Sequence, residues 1–119
     1  MSVKIKPTRI VKKLEKYNCT GKLRVKVDKE DGEISEVVML PKKGGCKYNL
    51  QLIGRLITAM LECNIDLDYI IQILDDNDPC TAPKERADYK DGTIKKEELG
   101  FGGCSKILKW ALEQKRGEK

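Results

Sequence analysis

The chain has 119 residues, 36% of them charged and 5% aromatic, with a formal net charge of +5. That length suits one domain with a modest core and excludes a large multidomain enzyme. No apolar run approaches the ~18 residues of a membrane span and the first residues hold no signal-like apolar region, so a cytoplasmic protein without a membrane partner is expected.

The first segment, residues 1–17, reads as an arm: Val3, Ile5, Ile10, Val11 and Leu14 lie among lysines, and Pro7 interrupts any single element, leaving room for a short helix after it. Lys22 to Val27 alternates strictly, with Leu23, Val25 and Val27 on one face and Lys22, Arg24 and Lys26 on the other, as a half-buried strand does. Asp28 to Gly32 supplies turn residues and Glu33 to Leu40 is β-branched, which predicts a hairpin with a turn longer than the tightest type. Two strands alone are marginal. A strand from the arm, a metal or a dimer interface is therefore expected to add stability.

Pro41 ends the second strand, and Lys42-Lys43-Gly44-Gly45 leads into a helix from about Lys47 to Glu62 with a stripe of Leu50, Ile53, Ile57, Met60 and Leu61. Asp66 reads as the N-cap of a second helix whose inward residues are Tyr69, Ile70, Ile73 and Leu74, stopped at Asp75 to Pro79. Residues 81–103 lack periodicity and read as a long loop. A last helix starts near Cys104 with a stripe of Ile107, Leu108, Ala111 and Leu112, and a basic tail occupies 115–119. Strands first and helices afterwards indicate an α+β domain, a small antiparallel sheet covered on one face by about three helices.

Cysteine and glycine carry the chemistry. Gly44-Gly45-Cys46 and Gly102-Gly103-Cys104 repeat one tripeptide ahead of two helices, where a helix dipole favours a thiolate. Cys19 and Cys80 also lie at element boundaries, whereas Cys63 follows a buried stripe and reads as a small apolar filler. With no histidine, an activated-cysteine hydrolase is excluded. With no adjacent thiols, a disulfide shuttle ranks last. Spacing alone leaves ordinary semi-buried thiols as the plainer reading, because zinc ligands usually come in close pairs. The glycine pair also leaves backbone N–H groups for an anion, so Lys42, Lys43, Gly44, Gly45, Lys47, Asn49 and Arg55 form a candidate nucleotide site, with Lys22, Arg24 and Lys26 as a basic face. The stretch matches neither GxGxxG nor GxxxxGK[ST], which favours an ordinary helix start.

Taken in order, Asn18-Cys19-Thr20-Gly21-Lys22-Leu23, Asp31-Gly32, Glu36-Val37, Gly44-Gly45-Cys46 and Ile53-Gly54-Arg55-Leu56-Ile57 resemble the TSCPD domain. So do Ile65-Asp66, Ile70-Ile71, Leu74, Cys80 with Pro83, Cys104-Ser105, Ile107 and Ala111-Leu112, and the likeness covers roughly residues 17 to 114. That module stands at the C-terminal end of adenosylcobalamin-dependent ribonucleotide reductases and also occurs alone. Two departures stand out: the family's Thr-Ser-Cys-Pro-Asp is here Gly102-Gly103-Cys104-Ser105-Lys106, and residues 84–100 form a longer loop. The domain is thus bounded at 18–114.

The resemblance implies an accessory module of deoxyribonucleotide synthesis without a catalytic site of its own, since the reductase barrel does not fit in this length. It also implies that Cys19, Cys46, Cys80 and Cys104 bind zinc in a closed structural site, with Cys63 outside the pattern. The expected partner is a ribonucleotide reductase or a related protein. A nucleotide or nucleic-acid ligand protein using the basic residues is the alternative, and a metal-free interaction domain or homo-oligomer is the third reading.

Overall fold

The computed structural model describes residues 14–42 and 46–117, so the expected helix after Pro7 and the residues Lys43, Gly44 and Gly45 lie outside the described residues. Three strands, β1 (Glu15–Tyr17), β2 (Lys22–Glu30) and β3 (Glu33–Leu40), form one antiparallel sheet in the order β1-β2-β3. The end of the arm thus supplies the third strand. Leu23, Val25 and Val27 are buried and Lys22, Arg24 and Lys26 exposed, as the alternation requires.

The hairpin turn is tighter than its sequence suggests. Asp31 and Gly32 alone form it, both with positive φ (54° and 82°), and pairing continues to Glu30↔Glu33. Positive φ at both central residues is the two-residue turn whose twist matches that of the strands. Turn-like residues at Asp28 to Glu30 are therefore strand. A bulge absorbs the difference: Asp28 pairs with Glu36 and Lys29 with Ile34, leaving Ser35 as the extra residue. Without it Ile34 and Val37, three apart, would face opposite sides; with it both are buried.

Two of the long helices cover the sheet and the third packs on one of them. Helix α1 (Lys47–Glu62) lies on β3 through Leu50, Gly54 and Ile57. A Cβ at Gly54 would stand 3.1 Å from both the Met39 nitrogen and the Val37 oxygen, so glycine sets the distance between helix and strand. One turn on, the Thr58 hydroxyl accepts the Val37 N–H at 3.0 Å and covers part of the exposed edge of β3. Helix α2 (Leu67–Asp76) starts at Asp66, whose carboxylate accepts the Asp68 N–H at 3.2 Å, and packs on α4 (Cys104–Arg116). Ile107, Leu108, Ala111 and Leu112 of α4 are all essentially inaccessible and form the centre of the core.

Three inward assignments are corrected. Ile53, Tyr69 and Ile73 are 38%, 60% and 45% exposed, and Gly54 and Ile71 take the buried positions instead. Apolar residues on these helices outnumber what one sheet and one neighbour can cover. Cys63 is exposed at the C-cap of α1 rather than buried, because the helix has turned past its sheet-facing side there. Residues 81–103 contain a 3-10 turn (Ala82–Glu85), the one-turn helix α3 (Ala87–Lys90) and a second 3-10 turn (Lys96–Glu98). Pieces this short complete too few turns to show periodicity, yet Pro83, Ile94 and Leu99 are buried. Among the described residues no helix is long and apolar enough to cross a membrane.

Gly54→Val should push α1 off β3 and lower stability by about 2–3 kcal/mol, read from urea unfolding. An unchanged midpoint would show that the helix does not depend on that close approach.

Candidate functional site

Four loops meet beside the end of the sheet. The first leaves β1 at Asn18, which is 4% exposed and bonded on every side. Its carboxamide oxygen accepts the N–H groups of Thr20 (2.9 Å) and Gly21 (3.0 Å), and its backbone N–H donates to the Gly21 carbonyl at 2.8 Å. This Asx turn holds Cys19 outward at its tip. The Asn18 carbonyl accepts Arg86 Nη1 at 3.1 Å, and Arg86 is in turn held by Asp88 through Nε (2.8 Å) and Nη2 (2.6 Å). The 81–103 segment is tied to the cysteine loop through that guanidinium.

Cys46 caps the start of α1, its carbonyl accepting the Leu50 N–H at 2.8 Å. Cys80 and Cys104 are brought together by backbone. The Cys80 N–H donates to the Gly102 carbonyl at 2.8 Å, and Gly103, at φ 86°, passes so close that a Cβ there would lie 2.4 Å from the Cys80 Cβ. Only glycine fits, on both conformation and space.

The result is a cavity of about 270 Å³ lined by Cys19, Cys46, Cys80 and Cys104, with Asn18 and Gly103 between them and Met39, Leu50, Leu74 and Leu108 among its apolar wall. The Asn18 amide donates to the Cys104 sulfur at 3.5 Å. Burial pushes the Cys104 thiol up from its usual value, the Asn18 hydrogen bond opposes this, and the nearby Cys19, Cys46 and Cys80 add to the rise. Burial thus outweighs the helix-start preference for thiolate at Cys104. As the side chains stand, no group of three or more His, Cys, Asp or Glu among the described residues is disposed to hold a metal ion.

A family model of the TSCPD domain matches residues 2–115 of the 119. The chain belongs to the TSCPD domain family. It is a ribonucleotide reductase-related module. Comparison with curated proteins and with solved structures gives no significant match.

In this TSCPD domain the residues that follow the last cysteine have a definite task. Lys106 Nζ donates to the carbonyls of Leu74 (3.1 Å), Asp75 (2.6 Å) and Asn77 (2.9 Å), the unsatisfied end of α2. Ser105 Oγ accepts the Asn77 amide at 3.2 Å. Ser105 and Lys106, which depart from the family's Pro-Asp, therefore fasten the start of α4 to the end of α2, just ahead of Cys80. Asn18, Arg86 and Lys106 are the residues that sequence reasoning did not pick out as parts of the site. An Asn three residues before Gly in Asn18-Cys19-Thr20-Gly21 is a readable Asx-turn signal, whereas Arg86 and Lys106 act across the fold and leave no local pattern.

The candidate anion residues that the structure describes do not share one hollow. Asn49 lines the cysteine cavity, Arg55 lines a groove between α1 and β3, and Lys42 lies in a third hollow beside Glu15, Lys22 and Arg24. Lys47 sits over the Tyr48 ring. On the basic strand face, Lys22 and Arg24 pair with Glu15 (3.3 and 3.6 Å) and Lys26 with Asp28 (3.8 Å), which reduces its positive field.

Two outcomes follow from these tethers. Lys106→Met should cost about 1–2 kcal/mol by stranding three carbonyls at the end of α2, measurable by chemical denaturation. An effect within error would show that water satisfies those carbonyls equally well. The Arg86 hydrogen bond holds the Asp88 carboxyl below its usual 3.8, so its contribution is present above that value and is lost as pH falls through the lower folded value. Asp88→Asn should accordingly flatten the acid limb of a melting temperature series below about pH 4. An acid limb identical in the two proteins would remove Asp88 from the account.

Proposed function

We propose that this TSCPD domain is a non-catalytic accessory module stabilised by zinc, acting in nucleotide metabolism beside a ribonucleotide reductase or a related protein. The observation that carries the reading is the convergence of Cys19, Cys46, Cys80 and Cys104, far apart in the sequence, on one cavity. Four soft donors without a histidine suit zinc. The donor set suits the ion in kind, and binding it would need the four side chains to turn toward one another from where they stand.

Bound there, zinc would supply cross-linking of the four loops and nothing hydrolytic, because four thiolates leave no open coordination position. Asn18 would donate to the Cys104 thiolate, the outer-sphere support that orients a ligand. Burial raises the Cys104 thiol, so zinc binding there would have to displace its proton. The anion-binding alternative has less behind it, since Lys42, Asn49 and Arg55 line separate hollows and the basic strand is largely ion-paired.

Protein purified without chelator should carry about one equivalent of zinc per chain, and Cys→Ser at position 19, 46, 80 or 104 should lose it with a stability loss of several kcal/mol. Cys63→Ser should retain it. Less than about half an equivalent, with all thiols titrating freely in the native protein, would sink the reading.

A further inference from the structure

Metal binding in the cysteine cavity requires the side chains to turn while the backbone beneath them keeps its place. For three of the four, secondary structure holds that backbone. The Cys46 carbonyl closes the first turn of α1, the Cys80 N–H is bound to the Gly102 carbonyl at 2.8 Å, and Cys104 opens α4 directly behind that crossing. Cys19 stands instead in the turn between β1 and β2. The bonds that join Asn18 to Thr20 and Gly21 lie within this turn, so they fix its shape rather than its place.

Arg86 reaches the turn from outside. From 68 positions further along the chain, its Nη1 donates to the carbonyl of Asn18, the residue just before Cys19, at 3.1 Å. The guanidinium is itself held on two other sides, by the Asp88 carboxylate at Nε (2.8 Å) and Nη2 (2.6 Å) and by the Tyr17 ring, whose centroid is 5.2 Å away. Its side chain is 16% exposed. A planar fork of donors can serve a carbonyl and a carboxylate at once, which an ammonium at the end of a flexible stem does not do. Because Asp88 offsets the charge, what Arg86 delivers to the turn is position.

Two of the four thiols depend on that position. Cys19 follows Asn18 in the chain, and the amide that donates to the Cys104 sulfur at 3.5 Å belongs to the same Asn18 whose carbonyl Arg86 holds. We infer that Arg86 is the positioning residue of the cysteine site, keeping Cys19 and the Asn18 amide in place through the Asn18 carbonyl. This rests on the zinc reading above and adds to it that the segment 81–101 sets, through Arg86, how tightly the metal is kept.

The zinc affinity of the full chain, measured by competition with a chromophoric chelator, tests this. Arg86→Met should raise the zinc Kd about tenfold or more, the scale on which outer partners of metal ligands act. Arg86→Lys keeps the charge and loses the fork, so it should weaken binding nearly as much. Alkylation of the zinc-loaded protein gives a second readout. In both variants Cys19 should react well ahead of Cys46, Cys80 and Cys104, with the exposed Cys63 as internal reference. Ile34→Ala, buried beside the turn at the other end of β2, should lower stability and leave the zinc Kd and the order of alkylation unchanged. Wild-type affinity in either Arg86 variant overturns the inference and leaves the zinc reading standing. Simultaneous exposure of the four thiols, or an equal loss of affinity in Ile34→Ala, also overturns it, since the role of Arg86 would then be general stability. A wild-type chain that takes up no zinc overturns both readings.

Discussion

The passage of Gly103 against Cys80 is the constraint on which the rest of the site depends. Two backbones meet there with no room for a side chain, and the hydrogen bond from Cys80 to Gly102 fixes their register. The start of α4 is thereby pinned, and α4 brings four of the most completely buried residues among those described. A shift at this crossing would move the centre of the core and one of the four cysteines together. Core packing and site geometry are thus set by one contact rather than adjusted separately.

Around that crossing, polar groups do what a larger core would otherwise do. Asn18 spends its carboxamide and backbone groups on its own turn, on Cys104 and on Arg86. Lys106 closes the end of α2 from α4. Hydrogen bonds to charged groups contribute more than neutral ones, and here they join segments that apolar contact alone does not hold. In a domain of this size such joints take a larger share of stability than they would beneath a thick core.

Much of the fold is legible because long elements repeat a pattern. The limits of α1, the cap at Asp66 and the whole buried stripe of α4 can be read from periodicity and capping residues. Where sequence reading fails, a tertiary fact decides. Ile53, Tyr69 and Ile73 have the right chemistry for a core, and only the position of the neighbouring layers shows that they lie outside it. The turn at Asp31-Gly32 is misread because its flanking polar residues are strand and the bulge at Ser35 hides the register. The four boundary cysteines are visible in sequence; the Arg86 and Lys106 tethers that position their loops are not, since each joins segments far apart in the chain.

The bridge between Cys80 and Gly102 also closes an excursion. The segment from Thr81 to Phe101 runs beside β1, held there by Arg86 and Leu99, and returns within one hydrogen bond of where it began. The entropic cost of closing such a loop grows only with the logarithm of its length. Chain can therefore be added to this excursion without moving either cysteine at its base, which makes it the place where the domain can lengthen while its thiols keep their positions.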